Sequence, residues 1–231
     1  MPYFFITFAI MKNLTLTIIA LLATTFSTFA IDYEKEFSKY GFVDIQSLDS
    51  TIVVELKYST TDNFMGVNMY GDLKKAYLRP EIAAMVVEAQ RILKNINPDY
   101  TLVIYDAARP LSAQKSMFDK VKETEFEQYV ANPYGLGGFH NYGCAVDLTI
   151  LYKGQPLDMG TEFDSFDSLS NINNENENLK NGTLSQEAYD NRQLLRRIMK
   201  KVGFHCEIYE WWHYDYYTKK QVHRKFKILD F

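Results

Sequence analysis

The chain has 231 residues, of which 47% are hydrophobic and 23% charged, a composition typical of a globular protein with a sizeable core. The formal charge is −4, without long runs of one sign. The strongly basic footprint of a nucleic-acid-binding protein is therefore missing, and no nucleic-acid partner is expected.

The N-terminal segment differs from the rest of the chain. No side chain is charged from Asn13 to Ile31, and Lys12 precedes an apolar run. Thr28 and Ala30 are small residues at the positions expected before a signal-peptidase cleavage point. We therefore predict a signal peptide.

Cleavage after Ala30 would leave a mature domain of residues 31–231, exported to the periplasm or secreted. An uncleaved membrane anchor is the alternative, but the run is shorter than the roughly 20 apolar residues that a spanning helix needs. Met11 is an alternative start, because Met11-Lys12-Asn13 would place a basic residue at the N-terminus.

The first half of the mature chain predicts a short polar helix or arm over residues 31–41, a strand over 52–58 and a turn-rich loop over 59–72. Pro80 begins a helix that Asn97-Pro98 ends. A buried strand over residues 101–105 then leads into Asp106-Ala107-Ala108-Arg109-Pro110.

The second half predicts a helix that is capped by Ser112 and runs to about Val130, and a strand over residues 145–151. An Asn- and Glu-rich stretch, residues 171–181, is interpreted as a solvated surface loop. A long helix capped by Ser185 ends at Gly203, and a strand over 204–209 leads into Glu210-Trp211-Trp212-His213. We predict a single α+β domain with a mainly antiparallel sheet flanked by helices.

Two short stretches carry residues that could hold a metal. His140 and Asp147 are seven residues apart, and Gly143 between them offers a bulge or bend that would bring both to one point. Glu210 and His213 are three apart, which suits one face of a helical turn or a tight corner. Two imidazoles and a carboxylate match a catalytic zinc site, which leaves one position open for water.

The spacing alone leaves structural histidines as an equal alternative, and a resemblance decides between them. His140–Asp147 reads as H-x-x-G-x-A-x-D and Glu210–His213 as E-x-x-H. Both motifs resemble those of the zinc D-alanyl-D-alanine peptidases that share a fold with the Hedgehog signalling domain. Within that superfamily the chain is most similar to the VanX-type D-alanyl-D-alanine dipeptidases, from about Val54 to Tyr214. Further segments in that family's order are Tyr58–Phe64, Asp106–Pro110, Met159–Asp164, Asn191-Arg192 and Gly203-Phe204.

The resemblance implies a role for each matching residue. His140, Asp147 and His213 would bind one Zn²⁺, and Glu210 would be the general base. Arg109 would polarise the scissile carbonyl, with Asp106 positioning it. Tyr58 and Asp164 would hold the substrate, the carboxylate being suited to a free ammonium group. The expected substrate is a small D,D-dipeptide.

Two positions depart from the family's pattern. Gly138 stands where the family often has Ser, and Ala108 stands where it often has Tyr. The first change removes a hydrogen bond to the substrate, and the second makes the pocket roomier. Both affect the choice of substrate more than the type of reaction.

Two other functions remain open. A zinc carboxypeptidase or endopeptidase that trims peptidoglycan stem peptides is the first. A non-catalytic zinc-binding module is the second, but such a module is expected to lack the base or the arginine, and Glu210 and Arg109 are both present. Export favours a role in peptidoglycan turnover over action on cytoplasmic dipeptide.

One further expectation concerns Cys144 and Cys206. If both lie in regular strands, they face opposite sides of the sheet. We therefore expect two thiols instead of a disulfide.

Overall fold

The structure is a computed structural model that describes residues 31–231. The predicted signal peptide, residues 1–30, lies outside the described residues. Residues 33–231 form one compact unit. No helix in the described part is long and apolar enough to cross a membrane.

Helices and strands alternate irregularly along residues 31–231. The helices are α1 (Tyr33–Lys39), α2 (Pro80–Ile96), α3 (Leu111–Val121), α4 (Glu175–Asn181), α5 (Gln186–Lys201) and α6 (Lys219–Lys225). The strands are β1 (Val43–Asp44), β2 (Val53–Val54), β3 (Tyr77–Leu78), β4 (Tyr100–Asp106), β5 (Ala145–Tyr152), β6 (Gln155–Pro156), β7 (His205–Cys206) and β8 (His213–Asp215).

The main sheet has the strand order β2-β4-β5-β8-β7, with β6 paired to β5. Every pairing in it is antiparallel except that of β2 with β4, which is parallel. β1 and β3 form a separate antiparallel pair. The predicted α+β domain with a mainly antiparallel sheet is confirmed.

Helix α2 shows how the sequence pattern produces the core. Pro80 occupies its first turn, where a missing N–H costs nothing. Its buried face carries Ile82, Val86, Ala89 and Leu93, and the helix packs against β4. Buried Gln90 is satisfied because its side-chain oxygen accepts a 2.8 Å hydrogen bond from the backbone of Leu102.

Three predicted elements are shorter than expected, among them the strand predicted over residues 204–209, of which only His205–Cys206 forms a strand. The strand predicted over residues 52–58 ends at Val54, and a 3₁₀ turn over Lys57–Ser59 follows, held by the Ser59 hydroxyl bonding to Leu73 O at 2.6 Å. The helix predicted to be capped by Ser112 and to reach about Val130 instead begins at Leu111, with Pro110 at the N-cap position, and ends at Val121. Lys122 leaves the helical conformation, with ψ 135°, and Glu123 follows with φ +63°.

The prediction that residues 171–181 form a solvated loop is wrong. Residues 172–174 make a 3₁₀ turn and α4 follows directly. Glu175 is buried and accepts from Arg196 at 2.6 Å, with Arg192 at 3.4 Å. A buried carboxylate between two guanidinium groups holds this polar segment on the domain.

Cys144 is buried, Cys206 is partly buried, and both are free thiols. The expectation of two thiols is confirmed. Burial raises the pKa of Cys144 to about 12, so this thiol remains protonated at neutral pH.

Candidate functional site

The candidate site begins with a row of residues across the middle of the main sheet. Asp106 at the end of β4 lies opposite Asp147 on β5, and Asp147 lies opposite His213 on β8. A register shift between Ile104 and Asp106 interrupts the β4–β5 ladder just before the row. Residues opposite each other in adjacent strands share a face of the sheet. The strand pairing therefore brings together residues that are far apart in sequence.

His140 reaches this row from a 3₁₀ turn, Phe139–Tyr142. Gly143 ends the turn with φ +64°, and its N–H donates to His140 O at 3.0 Å. A Cβ at Gly143 would lie 2.7 Å from the Phe42 ring, so both conformation and space require glycine. The predicted bend between His140 and Asp147 is confirmed.

Three ligand atoms face one another at the centre of the site. His140 Nε2 is 3.1 Å from His213 Nδ1 and 3.3 Å from Asp147 Oδ1, and His213 Nδ1 is 2.9 Å from Asp147 Oδ1. A tetrahedral zinc ion with ligands at 2.0–2.1 Å separates them by about 3.3 Å. The observed spacing fits such an ion.

The hydrogen bonds of the two outer imidazole nitrogens orient the inner nitrogens so that these can bind a cation. His140 Nδ1 lies 2.6 Å from Ala107 O, and His213 Nε2 lies 2.8 Å from Asp215 Oδ1. Each outer nitrogen donates to its oxygen, so each inner nitrogen of a neutral ring presents a lone pair. Two lone pairs and a carboxylate oxygen converge, which is the donor set of a metal site. The cluster could hold a metal ion.

The charges in this cluster are mutually dependent. Burial opposes ionisation of Asp147, yet His140 and His213 hold its pKa well below the ordinary value. Burial also opposes the charged form of His213, yet Asp215 and Asp147 raise its pKa well above the ordinary value. The site attracts positive charge, whether a proton or a metal ion supplies it.

Glu210 lies beside the three ligand atoms on the tight turn that precedes β8. The N–H of His213 donates to Glu210 O at 3.2 Å, and Glu210 Oε2 is 3.7 Å from His213 Nδ1. Burial raises the pKa of Glu210 to about 8, with Asp147 and Asp164 adding to the rise. A carboxylate with a pKa near the working pH suits general acid–base chemistry.

Arg109 is held rigidly at the edge of the cluster. Its Nε and Nη2 donate to Asp106 Oδ2 at 2.9 and 2.6 Å, and its Nη1 donates to Gln114 Oε1 at 2.9 Å. Tyr70 donates to the other oxygen of Asp106 at 2.7 Å. A guanidinium has five N–H donors, so one on each terminal nitrogen remains for a ligand.

Tyr58 and Asp164 form another wall of the same space. The Tyr58 hydroxyl donates to Asp164 Oδ1 at 2.7 Å, and the backbone N–H of Phe64 donates to Oδ2 at 3.3 Å. Burial raises the pKa of Asp164 to about 7, although the Tyr58 hydrogen bond lowers it.

A cleft of about 320 Å³ joins these parts. The predicted site residues that line it are Tyr58, Arg109, His140, Asp147, Asp164, Glu210 and His213. Asp106 lies behind Arg109 and is fully buried. The structure therefore brings all eight predicted site residues together.

Comparison with known proteins agrees with this arrangement. The family model described as D-ala-D-ala dipeptidase matches residues 38–229, nearly all of the described chain. The chain belongs to this dipeptidase family. The family is one of peptidases, so the chain is an enzyme of the hydrolase class.

Individual relatives cover most of the chain. A D-alanyl-D-alanine dipeptidase of Escherichia coli (strain K12) is 32% identical over 174 residues, which are 75% of this chain and 83% of the relative. Proteins with the same name from Enterococcus faecium and Enterococcus faecalis (strain ATCC 700802 / V583) are 29% and 27% identical over 195 residues, in each case 75% of this chain and 90% of the relative.

Several residues that support the site of this family member were not predicted from the sequence. Asp215 carried a usable signal, because it lies two residues after His213 in a strand and so shares its face. No sequence signal indicated Tyr70 or Gln114, because each reaches the site from a separate segment. Arg192 was noted only as part of a matching segment, yet it is buried and donates to Met159 O at 2.6 Å.

Proposed function

We propose that this protein is a zinc-dependent dipeptidase that hydrolyses D-alanyl-D-alanine and related D,D-dipeptides to free amino acids. The observation that carries the proposal is the convergence of His140 Nε2, Asp147 Oδ1 and His213 Nδ1 beside Glu210 and Arg109. Membership of the dipeptidase family and the names of the relatives supply the substrate.

Zinc is the proposed metal because the donors are two imidazole nitrogens and a carboxylate oxygen, a set common at catalytic zinc sites. His140, Asp147 and His213 would hold it. When bound, the ion supplies Lewis-acid chemistry, which polarises a carbonyl and lowers the pKa of water at the site to about 7.

Glu210 is proposed as the general base. Its carboxylate would take one proton from the attacking water as oxygen adds to the carbonyl carbon. It would then give that proton to the leaving amine as the C–N bond breaks. Burial raises its pKa to about 8 in the site without a cation, and a bound metal ion would lower that pKa and so favour the carboxylate that accepts the proton.

Arg109 is proposed to bind the carbonyl oxygen as negative charge develops on it. Two of its N–H groups are not used by Asp106 and Gln114, and these neighbours prevent the guanidinium from reorienting. A fixed donor at a developing oxyanion is commonly worth about 10²–10³ in rate.

Asp164 and Tyr58 are proposed to select dipeptides by binding the free ammonium group. The ammonium would find a carboxylate whose position is set by two hydrogen bonds. A longer peptide has an amide where the dipeptide has this charge, so Asp164 would be left without a cation. This requirement favours dipeptides over stem peptides.

Hydrolysis by the metal-loaded protein, with and without chelator, tests the proposal. The substrates are D-Ala-D-Ala, L-Ala-L-Ala and a stem pentapeptide that ends in D-Ala-D-Ala. Chelator-sensitive cleavage of the D,D-dipeptide alone is expected. Cleavage of the pentapeptide would support the wall-trimming alternative, and a metal-loaded protein that cleaves none of the three would contradict the dipeptidase proposal.

We also propose that residues 1–30 are a signal peptide and that the exported enzyme recycles dipeptide released during peptidoglycan turnover. The uncharged segment and the small residues Thr28 and Ala30 support it. Mass spectrometry of the protein from the exporting cell should find an N-terminus at Ile31. A retained segment 1–30 would contradict cleavage.

A further inference from the structure

A D,D-dipeptide is a zwitterion, and the proposed function accounts for only part of its charge. In that proposal Asp164 would bind the ammonium group, and Arg109 would bind the scissile carbonyl. The terminal carboxylate also enters a partly buried cleft. Burying a charge without a partner is costly, so the cleft needs a donor for this carboxylate.

The neighbourhood of Gly138 does not supply that donor. A Cβ at Gly138 would lie 3.0 Å from the Ala131 Cβ, so a hydroxyl-bearing side chain fits only if Ala131 moves away. The Gly138 N–H donates to Asn141 Oδ1 at 2.9 Å. The Gln114 side-chain NH₂ donates to Ala131 O at 2.8 Å. Both polar groups are therefore already used in hydrogen bonds within the protein.

The cationic side chains of Arg and Lys that line the cleft in the described part of the chain are those of Arg109 and Lys219. Arg109 is paired with Asp106. The Lys219 side chain has no hydrogen-bond or ion-pair partner within residues 31–231. It therefore offers a full positive charge and three donors to a ligand.

The helix that carries Lys219 is fixed to the site. Thr218 caps α6 through a reciprocal pair of hydrogen bonds with Gln221. Val222, one turn on, is buried in a cluster with Tyr142 and Cys144, next to the 3₁₀ turn that holds His140. Lys219 is exposed at the start of this helix and lines the cleft, whereas the Asp164 carboxylate is held by Tyr58 and Phe64.

We infer that Lys219 binds the terminal carboxylate of the substrate, so that the cleft recognises both charges of a free dipeptide. The inference rests on the proposed function and deepens it. The enzyme would accept substrates with a free C-terminal carboxylate and discriminate against those in which it is an amide.

The test compares D-alanyl-D-alanine with D-alanyl-D-alaninamide, which lacks the terminal charge. The metal-loaded variants are Lys219→Ala and Lys219→Arg, with Lys220→Ala as the matched control. Lys220 is exposed on the same helix and does not line the cleft. Calorimetry also measures the binding affinity for the substrate directly in the Glu210→Gln background, in which the substrate is not hydrolysed during the measurement.

Lys219→Ala should lower kcat/KM for the acid about tenfold, mainly through KM, as expected for a hydrogen bond to a charged group. Its kcat/KM for the amide should change much less, and Lys219→Arg should keep most of the discrimination. Calorimetry should show the same tenfold weakening for the acid. Lys220→Ala should match the wild type with both substrates.

An unchanged acid-to-amide ratio in Lys219→Ala would overturn the inference while leaving the dipeptidase function intact. An unchanged ratio that comes from equal fold-losses with both substrates would in addition reveal a structural role for Lys219. A wild-type protein that cleaves no D,D-dipeptide would refute the proposed function itself, and the inference would fall with it.

Discussion

The Tyr58 hydroxyl donates a 2.7 Å hydrogen bond to Asp164 Oδ1, although the two residues are 106 positions apart. Asp164 has φ +61°, in the left-handed region that residues other than glycine seldom adopt. The bonds from Tyr58 and from the Phe64 N–H occupy one oxygen each. This arrangement fixes the carboxylate and partly offsets the burial that leaves the pKa of Asp164 raised to about 7.

Tyr58→Phe should weaken substrate binding most strongly at low pH. The variant loses the donor that stabilises ionised Asp164, so the pKa of Asp164 rises further. At pH 7 a smaller fraction of Asp164 then carries the charge that the ammonium group needs. The acid limb of the pH profile of kcat/KM should move to higher pH, and KM at pH 7 should rise about threefold or more.

The matched control for this change is Tyr134→Phe. The Tyr134 hydroxyl also donates to a carboxylate, that of Asp119, but on the exposed surface outside the cleft. Its pH profile should match the wild type. An acid limb that stays in place in Tyr58→Phe would contradict the assignment of Asp164 as the ammonium-binding group.

Glu210→Gln should separate metal binding from turnover. The three ligand atoms remain, so metal content should stay near one ion per chain, while the loss of the base lowers kcat by about 10²–10⁴. His140→Ala removes a ligand and should lose metal and activity together. Metal analysis and kcat on the same preparations distinguish the two effects.

Glu207→Gln is the control for Glu210→Gln, because the Glu207 carboxylate also lines the cleft but has no proposed role in metal binding or catalysis. It should retain both metal and turnover. If Glu210→Gln at full metal content were as active as the wild type, Glu210 would not be the general base.

The local parts of the fold could be predicted because they depend on short patterns. Pro80 and Asn97-Pro98 predicted the two ends of α2, and residues 101–105 were predicted as the buried strand that β4 forms. The extent of β2 could not be predicted, because its end depends on the bond from Ser59 to Leu73 O, which lies outside the local pattern.

The residues of the site could be predicted because motifs carry them, whereas their spatial arrangement could not, because it depends on strand register. The row Asp106, Asp147 and His213 depends on which residues of β4, β5 and β8 lie opposite one another. That register follows from the pairing of the whole sheet. The burial of Glu175 was missed for a similar reason, since its partners Arg192 and Arg196 lie on α5.

Arg192→Met should destabilise the protein and also impair substrate binding. The guanidinium donates to Met159 O and Leu169 O and contacts Glu175, so its loss leaves a buried carboxylate and two carbonyls with fewer partners. We expect a loss of about 3 kcal/mol in the free energy of unfolding. KM should rise because Met159 begins the segment that carries Asp164.

Arg197→Met, an exposed position on the same helix, is the control and should change the free energy of unfolding by less than about 0.5 kcal/mol. Denaturant unfolding and steady-state kinetics measure both effects. Wild-type stability in Arg192→Met would show that Arg192 does not hold this segment.

Asp215→Asn should weaken metal retention although Asp215 is not among the proposed ligands. Asp215 Oδ1 lies 2.8 Å from His213 Nε2, so it orients the ring and makes Nδ1 a better donor. The amide of Asn can keep the ring oriented through its oxygen but carries no charge. Loss of such a partner typically costs about 10–100-fold in metal affinity.

Competition with a chelator measures the metal affinity of Asp215→Asn directly, and the absorption spectrum of the cobalt-substituted protein reports the ligand environment. Asp119→Asn, a change on the surface outside the cleft, should leave both unchanged. If Asp215→Asn binds metal as tightly as the wild type, the bond between Asp215 and His213 serves only the packing of β8. A weaker metal affinity with normal thermal stability would instead show that Asp215 supports metal binding through His213.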